Sequence, residues 1–383
     1  MLKMVDGTGI IGVDMVCPLG GAVSPPQPPN FDKVEMEGVG SLVLPNSLKA
    51  PLERLELIGN STQGENPAPE NPQEIKSAGR WNEGTQKYEI DVKITGKNLL
   101  NLQKEPDVKG TYLGWKLGDG RNITLSVKDK GNNADIMRCY LGLSRTGSSS
   151  YGVAWVVNNG TANIKELTST SQYVSVYPPN KTTVQKLLER FDIQAEYGEI
   201  ATSYEPYTEQ TVQIALDEPL RGIGEYKDVL TKDGVMRKIK RIVFDGSEDE
   251  KWALSNDPLN VTTNRFVIRM NIINAYYKML TMCNKMAWKH MNQVDVVGQS
   301  THGVNFYITL PKDLAPDLQT FRTWLSQNPL TVDYVLAEPV TEPLPESVQQ
   351  QLQALHSENG TTHVFVDSGE VPCGIKLTYR KEK

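Results

Sequence analysis

Residues 191–210 read FDIQAEYGEIATSYEPYTEQ, and the fold follows from how this stretch is read. It has the character of a strand that closes a block, followed by an acidic turn. Glu205-Pro206-Tyr207 then leads into the next segment. Residues 96–101, GKNLLN, open the block that this stretch closes. Just before that opening, Tyr88, Ile90, Val92 and Ile94 alternate with polar residues, which places one apolar face on a strand. The pattern returns in Ile123-Thr124-Leu125-Ser126-Val127 and in Tyr173-Val174-Ser175-Val176-Tyr177. Gly118-Asp119-Gly120, Asn158-Asn159-Gly160 and Pro178-Pro179-Asn180 punctuate the strands as turns. Short alternating strands at regular spacing predict a β-sandwich or jelly roll. Within the block, residues 183–189 predict a single helical turn.

Toward the N-terminus the character changes. Residues 1–38 are Gly-rich and mildly apolar, then run through Pro25-Pro26-Gln27-Pro28-Pro29, a stiff extended linker. They are expected to form an extended attachment segment. Residues 39–79 hold edge strands, then TQGENPAPENPQ at 62–73, whose three prolines exclude a helix or central strand and predict an extended crossing arm. The block itself occupies 80–212. A second strand-rich unit, 213–383, follows. It contains a strand after an Asp233-Gly234 hairpin turn, and strands near 265–271, 303–310 and 330–337. Residues 316–327 predict a helix, with Pro316 at its first position and Leu318, Phe321 and Leu325 on one face beside Trp324. Residues 345–355 predict a shorter one through Val348, Leu352 and Leu355. The expected architecture is mainly β: two jelly-roll-like sandwiches, a few short helices and an extended N-terminal segment.

Composition narrows the function. A length of 383 residues predicts two or three domains, and 38% apolar residues suffice for real cores. The net charge of −6 argues against a sequence-independent phosphate-binding surface, so no nucleic-acid partner is expected. No apolar run is long enough to span a membrane, and 10–22 lacks the basic flank of a signal peptide. Cys17, Cys139, Cys283 and Cys373 are widely spaced, which fits buried thiols better than a disulfide framework or a metal knuckle.

Taken in order, several motifs resemble one family. STQGENPAPENPQEIKSAG (61–79), GKNLLN, ATSYEPYTEQ (201–210), PLRGIGEYKDVL (219–230), a V-x-R-K-I hairpin at 235–239, FDGSEDEKW (244–252) and FRTWLSQNPLTVDYVLAEPVTEPLP (321–345) look like the minor structural proteins, of tail-tip or fibre type, of bacteriophages of Gram-positive anaerobes. The similarity extends over about residues 49–345. It implies that 80–212 is a jelly roll like a carbohydrate-binding module, and that the chain is a receptor-binding part of a virion. The implied partners are a host cell-surface glycan and neighbouring virion proteins, the latter through the N-terminal segment. A homotrimer is also implied, as are assembly in the host cytoplasm and release by lysis. The alternative is a purely structural decoration, neck or head-fibre protein that binds no glycan. Residues 1–29 match nothing in the family, and the Met-rich 279–290, MLTMCNKMAWKH, departs from its pattern.

Sugar recognition needs flat aromatic faces with amides and carboxylates around them. Trp115, Tyr140, Tyr151 and Trp155 are the candidate glycan-binding residues, with Trp81, Tyr112 and Tyr177 behind them. The competing reading is that these rings pack a core or an edge. Asp129, Asn132, Asn133 and Asp135 supply hard oxygens for calcium, but their spacing departs from an EF-hand, so a polar turn and no metal or cofactor are expected. No catalytic pattern emerges, and the chain is expected not to be an enzyme. Asp245, Glu248, Asp249 and Glu250 crowd one turn instead of facing across a cleft, and Ser300 near His302 lacks a placed acid.

Overall fold

A computed structural model of the chain describes residues 5–6, 9–10, 30–107, 109, 113–118, 122–131, 140–144, 152–157, 160–164, 172–177, 183–255 and 260–383. The protein is mainly β, with three short helices among the described residues. Its centre is an antiparallel sheet of twelve described strands. Lys87–Thr95 lies between Glu209–Leu216 and Gly360–Asp367. Ser41–Ser47 follows, then Gly374–Glu382, Arg54–Ile58, Val229–Thr231, Gly234–Phe244 and Leu330–Glu342. Period-two alternation delivers the core: Leu42 and Leu44, Ile90, Val92 and Ile94, Val212 and Ile214, Val364 and Val366, and Ile375 and Leu377. Fully burying each such side chain contributes about 1.5–3 kcal/mol. Leu352 and Leu355 close this core from the helix α3 (Glu346–Ala354).

Two further bodies grow out of hairpins of this sheet. Thr95 is paired with Glu209, so the chain leaves and returns side by side across residues 96–208. Those residues form a four-stranded and a three-stranded sheet around their own core of Trp115, Ile123, Leu125, Val127, Phe191 and Ile193. Helix α1 (Val184–Arg190) adds Leu187. Phe244 is likewise paired with Leu330, and residues 245–329 between them form a five-stranded sheet covered by helix α2 (Leu318–Gln327). All neighbours in the central sheet are antiparallel, and five strands separate Lys87–Thr95 from Gly234–Phe244.

The stretches 96–101 and 191–210 meet at the first of these junctions. Asn98, 2% exposed, donates to Ile193 O (3.2 Å) and Glu205 O (3.0 Å). Its Oδ1 accepts from Leu100 N (3.1 Å) and Ala195 N (3.2 Å). The amide thereby meets its full donor and acceptor complement inside the protein. Gln194 accepts from Glu205 N (2.9 Å) and donates to Glu196 (2.7 Å), which accepts from Thr202 N (2.9 Å) and its hydroxyl (2.7 Å). Lys97 completes the clasp on Glu205 at 3.0 Å.

Several local expectations change. The attachment segment 1–38 ends in a nine-residue strand, Phe31–Val39, paired along its length with Gly374–Glu382. The expected divide at 212/213 falls inside Glu209–Leu216, because that strand belongs to the central sheet with Lys87–Thr95. Residues 62–73 do not cross as an extended arm. They double back, since Ser61–Gln63 pairs with Ile75–Ser77 and Ala68 bridges Asn71. Pro69 and Glu70 form the turn between the bridged residues, and Asn66 adopts φ +50° just before it. Pro316 is not the first helical residue: α2 starts at Leu318 and Asp317 caps it by accepting from Thr320 N at 2.8 Å, while Phe321 and Leu325 are buried with Trp324. The hairpin turn is Lys232-Asp233, because Thr231 already pairs with Gly234. Gly234 sits at φ +152°, where a Cβ would lie 2.6 Å from Glu342 O, so only glycine fits. Cys283 and Cys373 are buried free thiols, whereas Cys17 and Cys139 lie outside the described residues.

Candidate functional site

Trp115 is 3% exposed and packs in the core of the 96–208 body. Its indole N–H donates to Lys104 O at 2.8 Å, so the ring is a wall, not a platform. It borders a cavity of about 610 Å³ between the 102–106 loop and α1. The backbone register sets Tyr140 opposite Val157 and Tyr177, and Trp155 opposite Gly142. Trp115 is set opposite Val174, which in turn faces Leu143. Positions 140, 155 and 177 thus share one face of the four-stranded sheet, and position 115 belongs to the other. Tyr112 and Tyr151 lie outside the described residues.

The calcium candidates do not assemble among the described residues. Asp129 is bound by Arg190 through Nε and Nη2, both at 3.0 Å, and accepts from Gly131 N at 2.8 Å. The Arg190 guanidinium holds its carboxyl below the usual carboxylate range. Asn132, Asn133 and Asp135 lie outside the described residues, among which no group of three metal-binding side chains occurs. In the acidic turn, Glu250 accepts from Asp245 N (2.8 Å), Gly246 N (3.2 Å) and Trp252 Nε1 (2.8 Å), which makes it a brace for the loop. Ser300 is buried, and its hydroxyl donates to Met291 Sδ at 3.5 Å.

A different aromatic pair is presented to solvent. Arg80–Asn82 turns tightly into Lys87–Thr95, and the register sets Trp81 directly across from Tyr88. Their ring centroids are 5.0 Å apart at 58°, and Trp81 remains 41% exposed. Gly79, at φ +139°, leads in where a Cβ would stand 3.1 Å from the Tyr88 Cβ. The two rings form one wall of a groove of about 840 Å³, with Gly369, Glu370 and Val371 also lining it. Arg80 locks the first wall by donating to Asp91 and Asp367, each at 2.6 Å. Lys76 bridges to Glu370 at 2.5 Å. Deeper in, Arg241 grips Asp333 with two bonds of 2.7 and 2.9 Å and donates to Ile75 O at 3.0 Å. An apolar ring face beside fixed donors and acceptors has the chemistry of a sugar site. From the sequence Trp81 ranks as a lesser candidate and Tyr88 as a core residue. Only the hairpin pairing brings them together.

A second aromatic group went unread. Tyr277 stacks on His290 (5.1 Å, 6°) and meets His302 edge-on at 5.7 Å, while Tyr276 meets the same imidazole at 4.7 Å. Both tyrosines are about half exposed, and Tyr277 adopts φ +59°, an uncommon conformation for a bulky residue. The adjoining Met-rich stretch was the available signal.

No family model matches the chain, and no curated protein matches it. Among solved structures, the VP2 subviral particle of infectious bursal disease virus aligns at 9% identity over 95% of this chain and 84% of that one, with a TM-score of 0.09. The Gx strain of the same virus aligns at 10% identity over 94% and 83%, also at 0.09. Its T13 viral particle aligns at 11% over 95% and 81%, at 0.08. Scores this low carry no argument about fold or function.

Proposed function

We propose that this chain is a bacteriophage virion protein of tail or baseplate fibre type, and that it binds a host-surface glycan in the Trp81 groove. The observation that carries the binding role is the half-open Trp81–Tyr88 pair at the wall of an 840 Å³ groove. The virion assignment is supported by the ordered motifs from 49 to 345 and by an architecture of broad antiparallel sheets. Rings stack on the apolar face of a sugar, and hydroxyls bond the charged groups held around it. Single sites of this kind bind weakly, so a trimer would gain by avidity.

The test is a pull-down of the full-length protein on intact host cells and on stripped cell wall, with free wall polysaccharide as competitor. Saturable, competed binding is expected, and Trp81→Ala should weaken it about tenfold or more, about 1.4 kcal/mol. Binding that is unchanged in Trp81→Ala removes the groove from the proposal. No binding by the intact protein removes the glycan role and leaves a purely structural virion component.

A further inference from the structure

We infer that the Trp81 groove selects neutral glycans and refuses anionic ones; this rests on the glycan reading above. The argument is the charge balance of its walls. Three cations line it, Lys76, Arg80 and Arg241. Each is already matched: Lys76 by Glu370 at 2.5 Å, Arg80 by Asp91 and Asp367 at 2.6 Å, and Arg241 by both oxygens of Asp333. Glu89, 5% exposed, lies a further 3.7 Å from Arg80, and Glu74 adds another carboxylate to the lining. A phosphate, sulfate or uronate in the groove would meet cations that are already bound, with the carboxylates of Glu74 and Glu370 lining it beside them. Charge repulsion is weakly screened where the carboxylates are buried, as those of Glu89 and Asp333 are.

The same pairing suits an uncharged polyol. A guanidinium has five N–H donors, and a carboxylate accepts about four hydrogen bonds, so each pair keeps capacity for hydroxyls that both donate and accept. The pairs are tied to separate strands: Arg80 joins the 80–82 strand to Lys87–Thr95 and Gly360–Asp367, and Arg241 joins Gly234–Phe244 to Leu330–Glu342. Their geometry is therefore set before a ligand arrives, which lowers the ordering cost of binding. Trp81 supplies the flat face for the sugar ring. The walls recognise hydroxyl patterns without asking the ligand for charge.

The experiment measures binding of the full-length protein to immobilised neutral polymers (glucan, galactan, mannan and poly-N-acetylglucosamine) and to anionic ones (polygalacturonate, hyaluronate and glycerol-phosphate teichoic acid). Each is measured in low salt and at about 0.3 M, where the Debye length is well under about 10 Å. Expected is binding to at least one neutral polymer, little changed by salt, lost in Trp81→Ala and at least about tenfold tighter than to any anionic polymer. Glu370→Gln, at an exposed position, frees Lys76 and should raise the ratio of anionic to neutral binding several-fold. Tighter binding to an anionic polymer that falls with salt and is lost in Trp81→Ala overturns the selectivity and leaves the glycan reading standing. Binding to none of the polymers or the cell wall, or binding indifferent to Trp81→Ala, overturns both.

Discussion

The bodies at 96–208 and 245–329 spring from the same device, a hairpin of the central sheet, yet they are joined to it by opposite chemistry. At Thr95/Glu209 the junction is polar. Asn98, Gln194, Glu196 and Lys97 hold the two chain ends with directional bonds, and the apolar core beyond them takes no residue from the strands of the central sheet. At Phe244/Leu330 the junction is apolar. Phe244 stacks on Phe306 at 5.8 Å and meets Trp252 at 5.0 Å, and Leu330 and Val332 continue into the cluster of Phe266, Phe321 and Trp324. Hydrogen bonds fix where a body sits, whereas a shared core makes two bodies fold as one. The first body is an attachment, and the second is an extension of the sheet that bears it.

That contrast breaks first at Phe244. Phe244→Ala should cost about 3–5 kcal/mol, the range for a buried aromatic, and lower one calorimetric transition that includes the central sheet. Two separate transitions, with only the smaller one shifted, would mean that the core is not shared. Asn98→Ala should come next, costing about 2–4 kcal/mol, because it strands two backbone N–H and two C=O groups at a buried site. Hydrogen exchange should then rise within 96–208 while Lys87–Thr95 and Gly360–Asp367 stay protected. Exchange rising equally in those strands would show the first body to be as deeply coupled as the second.

The smallest effect concerns acid. Asp129 is held below the usual carboxylate range by Arg190, so its folded value lies under its unfolded one near about 3.9. Its contribution is full above the unfolded value and is lost as pH falls through the folded one. Asp129→Asn should therefore destabilise the 96–208 body at pH 7 by about 1.5–3 kcal/mol. The gap between variant and parent should narrow toward pH 3, as followed by the unfolding midpoint. A gap that stays constant with pH would assign the loss to packing and not to the ion pair.

The legible parts of the fold were those with local cause. In KYEIDVKIT the period of two put Ile90, Val92 and Ile94 in the core wherever the strand found partners. Phe321 and Leu325 behaved in the same way at helical spacing, with Leu318 partly buried against them. GKNLLN and FDIQAEYGEIATSYEPY meet, and Asn98 bonds the backbone of both Ile193 and Glu205. The groove was hardly legible at all. Trp115 and Trp81 are both tryptophans within three residues of a glycine and beside one basic residue. One is sealed against Lys104, and the other faces water because a four-residue turn folds Tyr88 beneath it. Tyr277 gave no sign of its left-handed backbone or of its ring contacts with His290 and His302.

Alternation, turn residues and helix spacing are properties of neighbours in the chain, and the sequence by itself determined from them that this is a β protein with short helices and buried thiols. Tertiary structure alone decided that Thr95 pairs with Glu209 and Phe244 with Leu330, turning consecutive blocks into one sheet with two outgrowths. It also decided which aromatic rings are wet and which charges in the groove are already matched. Strand order and charge pairing join residues far apart in sequence, and they are chosen by the total burial and hydrogen bonding of the whole chain, which no short stretch encodes.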